Sequence, residues 1–154
     1  MLSGGQAVRA ASVTNTVSTV VIIPLTIIKF KDLDFGTLVP SSTAGTVTID
    51  PYTSARSTTG GVTAFGGTPQ AAQFETYGGP LQTLTVNRGP LPVLTRVGGT
   101  QTMNVTGLTL DGSTTRFLTG AGLVVLNVGG TMNVGANQVP GTYVGTFSIL
   151  VTYN

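Results

Sequence analysis

Alternating apolar and polar positions dominate the chain, and the clearest run is residues 141–154, GTYVGTFSILVTYN. Tyr143, Phe147, Ile149, Val151 and Tyr153 fall on one face, with Thr142, Thr146, Ser148 and Thr152 on the other. This period of two marks a half-buried strand, here a single strand that closes the fold. Residues 17–30, VSTVVIIPLTIIKF, predict the first strand of the domain, bent at Pro24 because proline donates no ladder hydrogen bond. In residues 31–36 the alternation turns Leu33 and Phe35 inward and Asp32 and Asp34 outward, and Gly36 permits a sharp exit. Residues 45–50 predict a strand with Val47 and Ile49 inside, stopped by Asp50-Pro51.

Further along, residues 56–67 read as a Gly- and Thr-rich hairpin or loop, and residues 71–77 and 81–86 as a hairpin around Gly78-Gly79-Pro80. Short strands follow over 93–97, 101–110, 116–119, 123–128 and 131–134, separated by turns at Gly98-Gly99, Asp111-Gly112, residues 120–122 and Gly129-Gly130. No helix-period segment of useful length interrupts them. Many short strands at near-regular spacing predict an all-β sandwich. Residues 1–16 are a polar, small-residue lead whose apolar members include Val8, Ala11 and Val13, continued by Val17. Such a lead is either an unpaired tail or a strand that orders only when a partner takes it up. The expected organisation is an extension over 1–16 and one domain over 17–154.

Composition supports the all-β reading: 22 glycines and 28 threonines stand in 154 residues, while charged side chains make up only 8%, against about a quarter in an average domain. Arg9, Lys29, Lys31, Arg56, Arg88, Arg96 and Arg116 are scattered and form no stripe to track phosphates, so nucleic acid is not an expected partner. Few charges also mean little repulsion between copies. With no Cys and no His, disulfides, the usual zinc sites and Ser-His or Cys-His nucleophile pairs are unavailable. Asp32 and Asp34 are the only paired carboxylates; they read as solvated charges at a strand edge beside Lys29 and Lys31 rather than as a calcium site, which needs six to eight oxygens. No catalytic residue, metal or cofactor is expected. The apolar run at 17–30 is too short for a span of about 20 residues and carries Pro24, so membrane insertion is not expected. Nor does it read as an ordinary secretion signal; any export signal has been removed or lies outside this sequence.

Two resemblances sharpen this picture. The closing run, with Tyr153 penultimate and Gly141 fourteenth from the end, is similar to the C-terminal motif of chaperone-usher pilus subunits. Pro24-Leu-Thr-Ile27, Leu33-Asp-Phe-Gly36, residues 45–51 (GTVTIDP), Gln73-Phe74, Val128-Gly-Gly-Thr131 and Gly141-x-Tyr143-x-Gly145-x-Phe147 together resemble a Gram-negative surface family known as domain of unknown function 4402. Leu33-Asp-Phe-Gly36 also resembles the early strand of spore-coat-U-type pilins, although the cysteine pair of the pilin families is missing. The resemblance implies an all-β, immunoglobulin-like (pilin-like) antiparallel β-sandwich completed by a donor strand, exported through the periplasm to the cell surface. There it would polymerise with identical subunits, with a periplasmic chaperone and an outer-membrane usher as possible assembly partners. On that reading Val8, Ala11, Val13 and Val17 are donor residues, and Tyr143, Phe147, Ile149, Val151 and Tyr153 line the acceptor groove. The different class that the residues leave open is a monomeric surface adhesin or carbohydrate-binding sandwich, and a viral coat or tail sandwich fits the composition as well.

Overall fold

The computed structural model describes Gly4, Gly5 and residues 10–154. Among the described residues there are thirteen strands and no helix. The organising strand is β11 (Leu123–Val134), which pairs antiparallel with β9 (Thr102–Leu110) along one edge. Its other edge is shared between two partners. Residues 123–128 bond to β6 (Ala72–Tyr77), and residues 130–134 bond to β3 (Gly45–Ile49).

Outside β6 lies β1 (Thr26–Lys31), and outside β3 lies β4 (Arg56–Gly60). Beyond β9 come β8 (Val93–Arg96) and the two-residue β12 (Tyr143–Val144). A three-stranded sheet, β10 (Thr115–Phe117), β7 (Thr83–Arg88) and β13 (Ile149–Tyr153), covers part of the inner face. The short pair β2 (Thr37–Val39) and β5 (Thr63–Gly66) completes the set. The architecture is all-β, with antiparallel sheets curled around one core, and is consistent with a β-sandwich.

Alternation decides which side chains enter that core. On β11, Leu126 and Val128 are fully buried and Met132 and Val134 nearly so; on β3, Val47 and Ile49 are fully buried, and Leu84 and Val86 of β7 close the opposite side. The outward threonines hydrogen-bond across the strands, Thr46 to Thr59 at 2.6 Å and Thr48 to Thr131 at 2.9 Å, a cross-strand ladder that stabilises a sheet without charge. Arg56 braces two sheets together: its Nη1 donates to the carbonyls of Phe35, Thr37 and Gly66 at 2.9–3.1 Å. Phe35 is buried, Leu33 packs partly buried against the core, and Asp32 and Asp34 are exposed, as the alternation predicts. Asp32 pairs with Lys29 at 2.6 Å.

Five predicted elements differ from the observed ones. Residues 56–67 form β4 and β5, which pair with β3 and β2 rather than with each other. The first strand begins at Thr26, and residues 17–25 precede it outside any strand. The segments over 71–77 and 81–86 form strands but do not pair with each other: β6 has both edges occupied, by β1 and β11, so the chain crosses to the second sheet. Leu81, at φ 59°, takes the left-handed conformation in that crossing. Gly129-Gly130 is not a turn but the place where β11 exchanges one partner for another. A side chain on Gly129 would have its first carbon 2.1 Å from the Ile49 carbonyl oxygen and 2.8 Å from the Pro51 nitrogen. The closing run is two strands, β12 in one sheet and β13 in the other, joined by residues 145–148.

Asp50 closes the turn after β3. Its Oδ1 accepts hydrogen bonds from the backbone N–H of Tyr52 at 2.8 Å and Thr53 at 2.9 Å. The Thr53 bond first, then that from Tyr52, holds the carboxyl below the usual carboxylate range.

Two expectations test this description. Gly129→Ala is expected to lower the unfolding free energy in urea by roughly 1–3 kcal/mol, the ordinary cost of overpacking, whereas Gly120→Ala, which meets open space, leaves the midpoint in place. Because the folded Asp50 value is lowered, its turn is intact above the unfolded carboxylate pKa and loosens as pH falls through the folded one. Amide shifts of Tyr52 and Thr53 should therefore titrate together, with a midpoint below that of an Asp in a denatured chain.

Candidate functional site

Two features of the fold are left without partners among the described residues. The first is an arm. Residues 10–24 lie outside any strand and all are exposed, with Val13, Val17 and Val21 at 93%, 95% and 90% exposure. Ala11, Val13, Val17, Val21 and Ile23 share the odd-numbered face with Asn15 and Thr19, while the even one carries Ser12, Thr14, Thr16 and Ser18, then Val20 and Ile22. A strand built from residues 11–18 would have its apolar side chains on one face, and over residues 20–23 both faces are apolar. Burying Val13, Val17 and Val21 removes apolar area from water that the free arm leaves exposed.

The second is an edge. β13 bonds to β7 alone, from Ile149 opposite Arg88 to Tyr153 opposite Leu84. Its inward-facing Ile149 and Val151, with Phe147 just before it, are half-buried and pack against the core. Phe147 meets Phe74 edge-on, with ring centroids 6.1 Å apart. The backbone groups along the far edge of β13 form no ladder within the described chain. Proteins normally cover such an edge, because it is a template for another strand.

Tyr153 joins the two features. Its hydroxyl donates to the Ile23 carbonyl at 2.5 Å and accepts from the Gly79 N–H at 2.7 Å. The arm is thereby fixed to the body of the domain at one end of β13.

The predicted donor and acceptor residues are distributed as follows. Ala11, Val13 and Val17 lie on the exposed arm, and Val8 falls outside the described residues. Phe147, Ile149, Val151 and Tyr153 come together along β13. Tyr143 does not join them. It sits on β12 with its hydroxyl donating to the Val139 carbonyl at 2.6 Å and accepting from Gln138 at 2.8 Å. There it lines a cavity of about 670 Å³ with Leu33, Leu38, Leu94, Met103 and Val134. Val21 and Ile23 of the arm were not expected there, because residues 17–30 predict a strand bent at Pro24, whereas only the part after Pro24 forms β1.

Charged groups are placed structurally. Arg116 bonds to Asp111 at 2.7 Å, and Asn127 donates to the other Asp111 oxygen at 2.7 Å. The Tyr77 hydroxyl donates to Glu75, which raises its pKa. No group of three His, Cys, Asp or Glu side chains that could hold a metal occurs among the described residues. No helix among them is long and apolar enough to cross a membrane.

A chain of this kind, all-β with antiparallel sheets, belongs to the family described as domain of unknown function, DUF4402, which matches residues 25–153. The match starts one residue after Pro24 and leaves the arm outside it. No curated protein and no solved structure matches the chain.

Removal of the Tyr153 hydroxyl tests the junction. Tyr153→Phe leaves the buried Gly79 N–H without its acceptor, an expected loss of roughly 1–3 kcal/mol in urea unfolding. The Gly79 amide is expected to exchange faster with solvent, and unchanged exchange would show that the Tyr153 hydroxyl is not its acceptor.

Proposed function

We propose that this chain is a structural subunit of an extracellular bacterial filament, a pilin-like sandwich that polymerises by donor-strand exchange. The arm of one copy adds to the open edge of the next, a form of β-strand addition in which main-chain hydrogen bonds give affinity and alternate side chains give specificity. The reading rests on one observation: an edge strand with half-buried apolar residues and no partner on one side among the described residues, in a chain that also carries an exposed arm rich in apolar side chains. A head-to-tail contact of this type does not close on itself and extends into a filament. Immunoglobulin-like topology, export through the periplasm, display on the cell surface and delivery by a chaperone and usher belong to the same proposal. The small number of charges fits self-association, since copies repel one another weakly.

Face-specific substitutions in the full chain provide the test. Val17 is fully exposed in the free chain, so Val17→Asp leaves the domain intact but places a carboxylate on the face to be buried. Thr16→Asp places the same charge on the opposite face. Electron microscopy and SDS-resistant ladders are expected to show filaments for the unaltered chain and for Thr16→Asp, and folded monomers for Val17→Asp. Monomers from all three, or filaments from all three, would sink the proposal.

A further inference from the structure

We infer that the cavity between β2 and the strands β8, β9 and β11 is a binding site for one unbranched alkyl chain with an uncharged head group. The site goes beyond the filament reading and does not depend on it, since residues of a single copy line it. Its floor is Phe35, Met132 and Val134, all buried, and Leu38, Leu94 and Met103 form half-buried walls. Protein interiors leave few voids larger than a water molecule. A space of about 670 Å³ is therefore not explained by the packing of the domain itself, and it falls in the range of small-molecule sites, about 300–1,000 Å³.

Backbone contacts fix the walls. On one side β2 belongs to neither of the larger sheets; it pairs with β5 and is held by Arg56, which donates to the carbonyls of Phe35 and Thr37. Opposite it β8, β9 and β11 lie in one continuous sheet. Two contacts tie the segment between β11 and β12 to these sides. The Asn137 N–H donates to the Ser41 carbonyl at 2.7 Å, and the Gln138 amide donates to the Thr102 carbonyl at 3.3 Å and to the Tyr143 hydroxyl at 2.8 Å.

What the lining lacks decides the ligand. Tyr143 and Gln138 are its largest uncharged polar side chains, and both are spent within the domain: the hydroxyl donates to the Val139 carbonyl, and the Gln138 carbonyl oxygen accepts from the Gly135 N–H. Among the described residues the buried polar side-chain atoms without a partner are Thr76 Oγ1, Gln101 Oε1 and Arg116 Nε, and none of them lines the cavity. A ligand there meets no buried donor or acceptor in need of a partner, and a polar group carried to the floor would itself go unpaired. Apolar contact is the chemistry that remains. Both internal methionines of the chain, Met103 and Met132, are in the lining, and an unbranched thioether side chain adapts to the irregular outline of a hydrocarbon. Asp34 is the one charged side chain of the lining among the described residues, and it is exposed. Arg56 and Arg96, outside the lining, are bonded to backbone carbonyls. A carboxylate or phosphate head beside Asp34 would be repelled, whereas an uncharged head would not.

Met103 reports occupancy. The full-length protein is treated with hydrogen peroxide in the presence of hexanol, octanol or decanol, with free methionine in the same tube as reference, and sulfoxide at Met103 is read by mass spectrometry. The alcohols are expected to slow oxidation of Met103 saturably, the half-protecting concentration falling about fourfold for each added methylene, which is the transfer free energy of one CH2. Decanoate is expected to protect roughly twofold to fivefold less well than decanol, the scale of one exposed charge pair, and Asp34→Asn to remove that difference. Protection that never saturates, or that extends equally to free methionine, would overturn the site. Decanoate protecting as well as decanol in the unaltered chain would overturn the uncharged head. A Met103 that peroxide does not reach even without alcohol means a closed cavity, and the inference fails. If oxidation of Met103 slows with the concentration of the protein itself and ignores the alcohols, a segment of a second copy fills the space; the inference fails and the filament reading stands.

Discussion

Everything in this fold depends on the hydrogen-bonding edges of one strand. β11 is long enough to span the domain, with β9 along residues 128–132 of one edge, and neither β6 nor β3 is long enough to cover its second edge alone. The two share it, and they meet at Gly129, where there is no room for a side chain beside the Ile49 carbonyl. Around that junction the hydrophobic residues of β3, β6, β7 and β11 form a single core. The central strand has neighbours on both edges, the peripheral strand β13 on only one among the described residues, and that contrast is the main functional clue in the molecule.

The strands themselves were largely legible in the sequence because alternation of burial is a local property. Val47 and Ile49, Leu33 and Phe35, and Phe147, Ile149 and Val151 of the last run all face the way their spacing predicts. Which strand bonds to which was not legible, because pairing is set by distant segments. Gly78-Gly79-Pro80 has the composition of a hairpin turn, yet it carries the chain between sheets. Gly129-Gly130 has the composition of a turn, yet it lies inside a continuous strand. Glycine reports only that a side chain would be in the way; it does not say whether the obstacle is a reversal of the chain or a neighbouring backbone.

The candidate site shows the same division. Apolar residues at alternate positions identify β13 and part of the arm, but the first strand begins at Thr26 rather than at Val17. Residues 17–23 are as apolar as any strand in the chain, and hydrophobicity in sequence normally means burial. Here it coincides with exposure, and only the fold reveals that β1 starts after Pro24. Tyr143 was grouped with the edge because it shares its parity with Phe147; the crossing between sheets at residues 145–148 breaks that inference.

The Arg56 brace has a consequence for durability. A guanidinium keeps its charge across the whole range of pH that proteins meet, and its three acceptors here are backbone carbonyls, which do not titrate. With no histidine and only five acidic residues in the chain, few of the contacts that hold the layers together can be switched off by acid or base. The domain is built from chemistry that is largely indifferent to its surroundings, and such a body can be exposed to a changing medium without a buffered compartment to protect it.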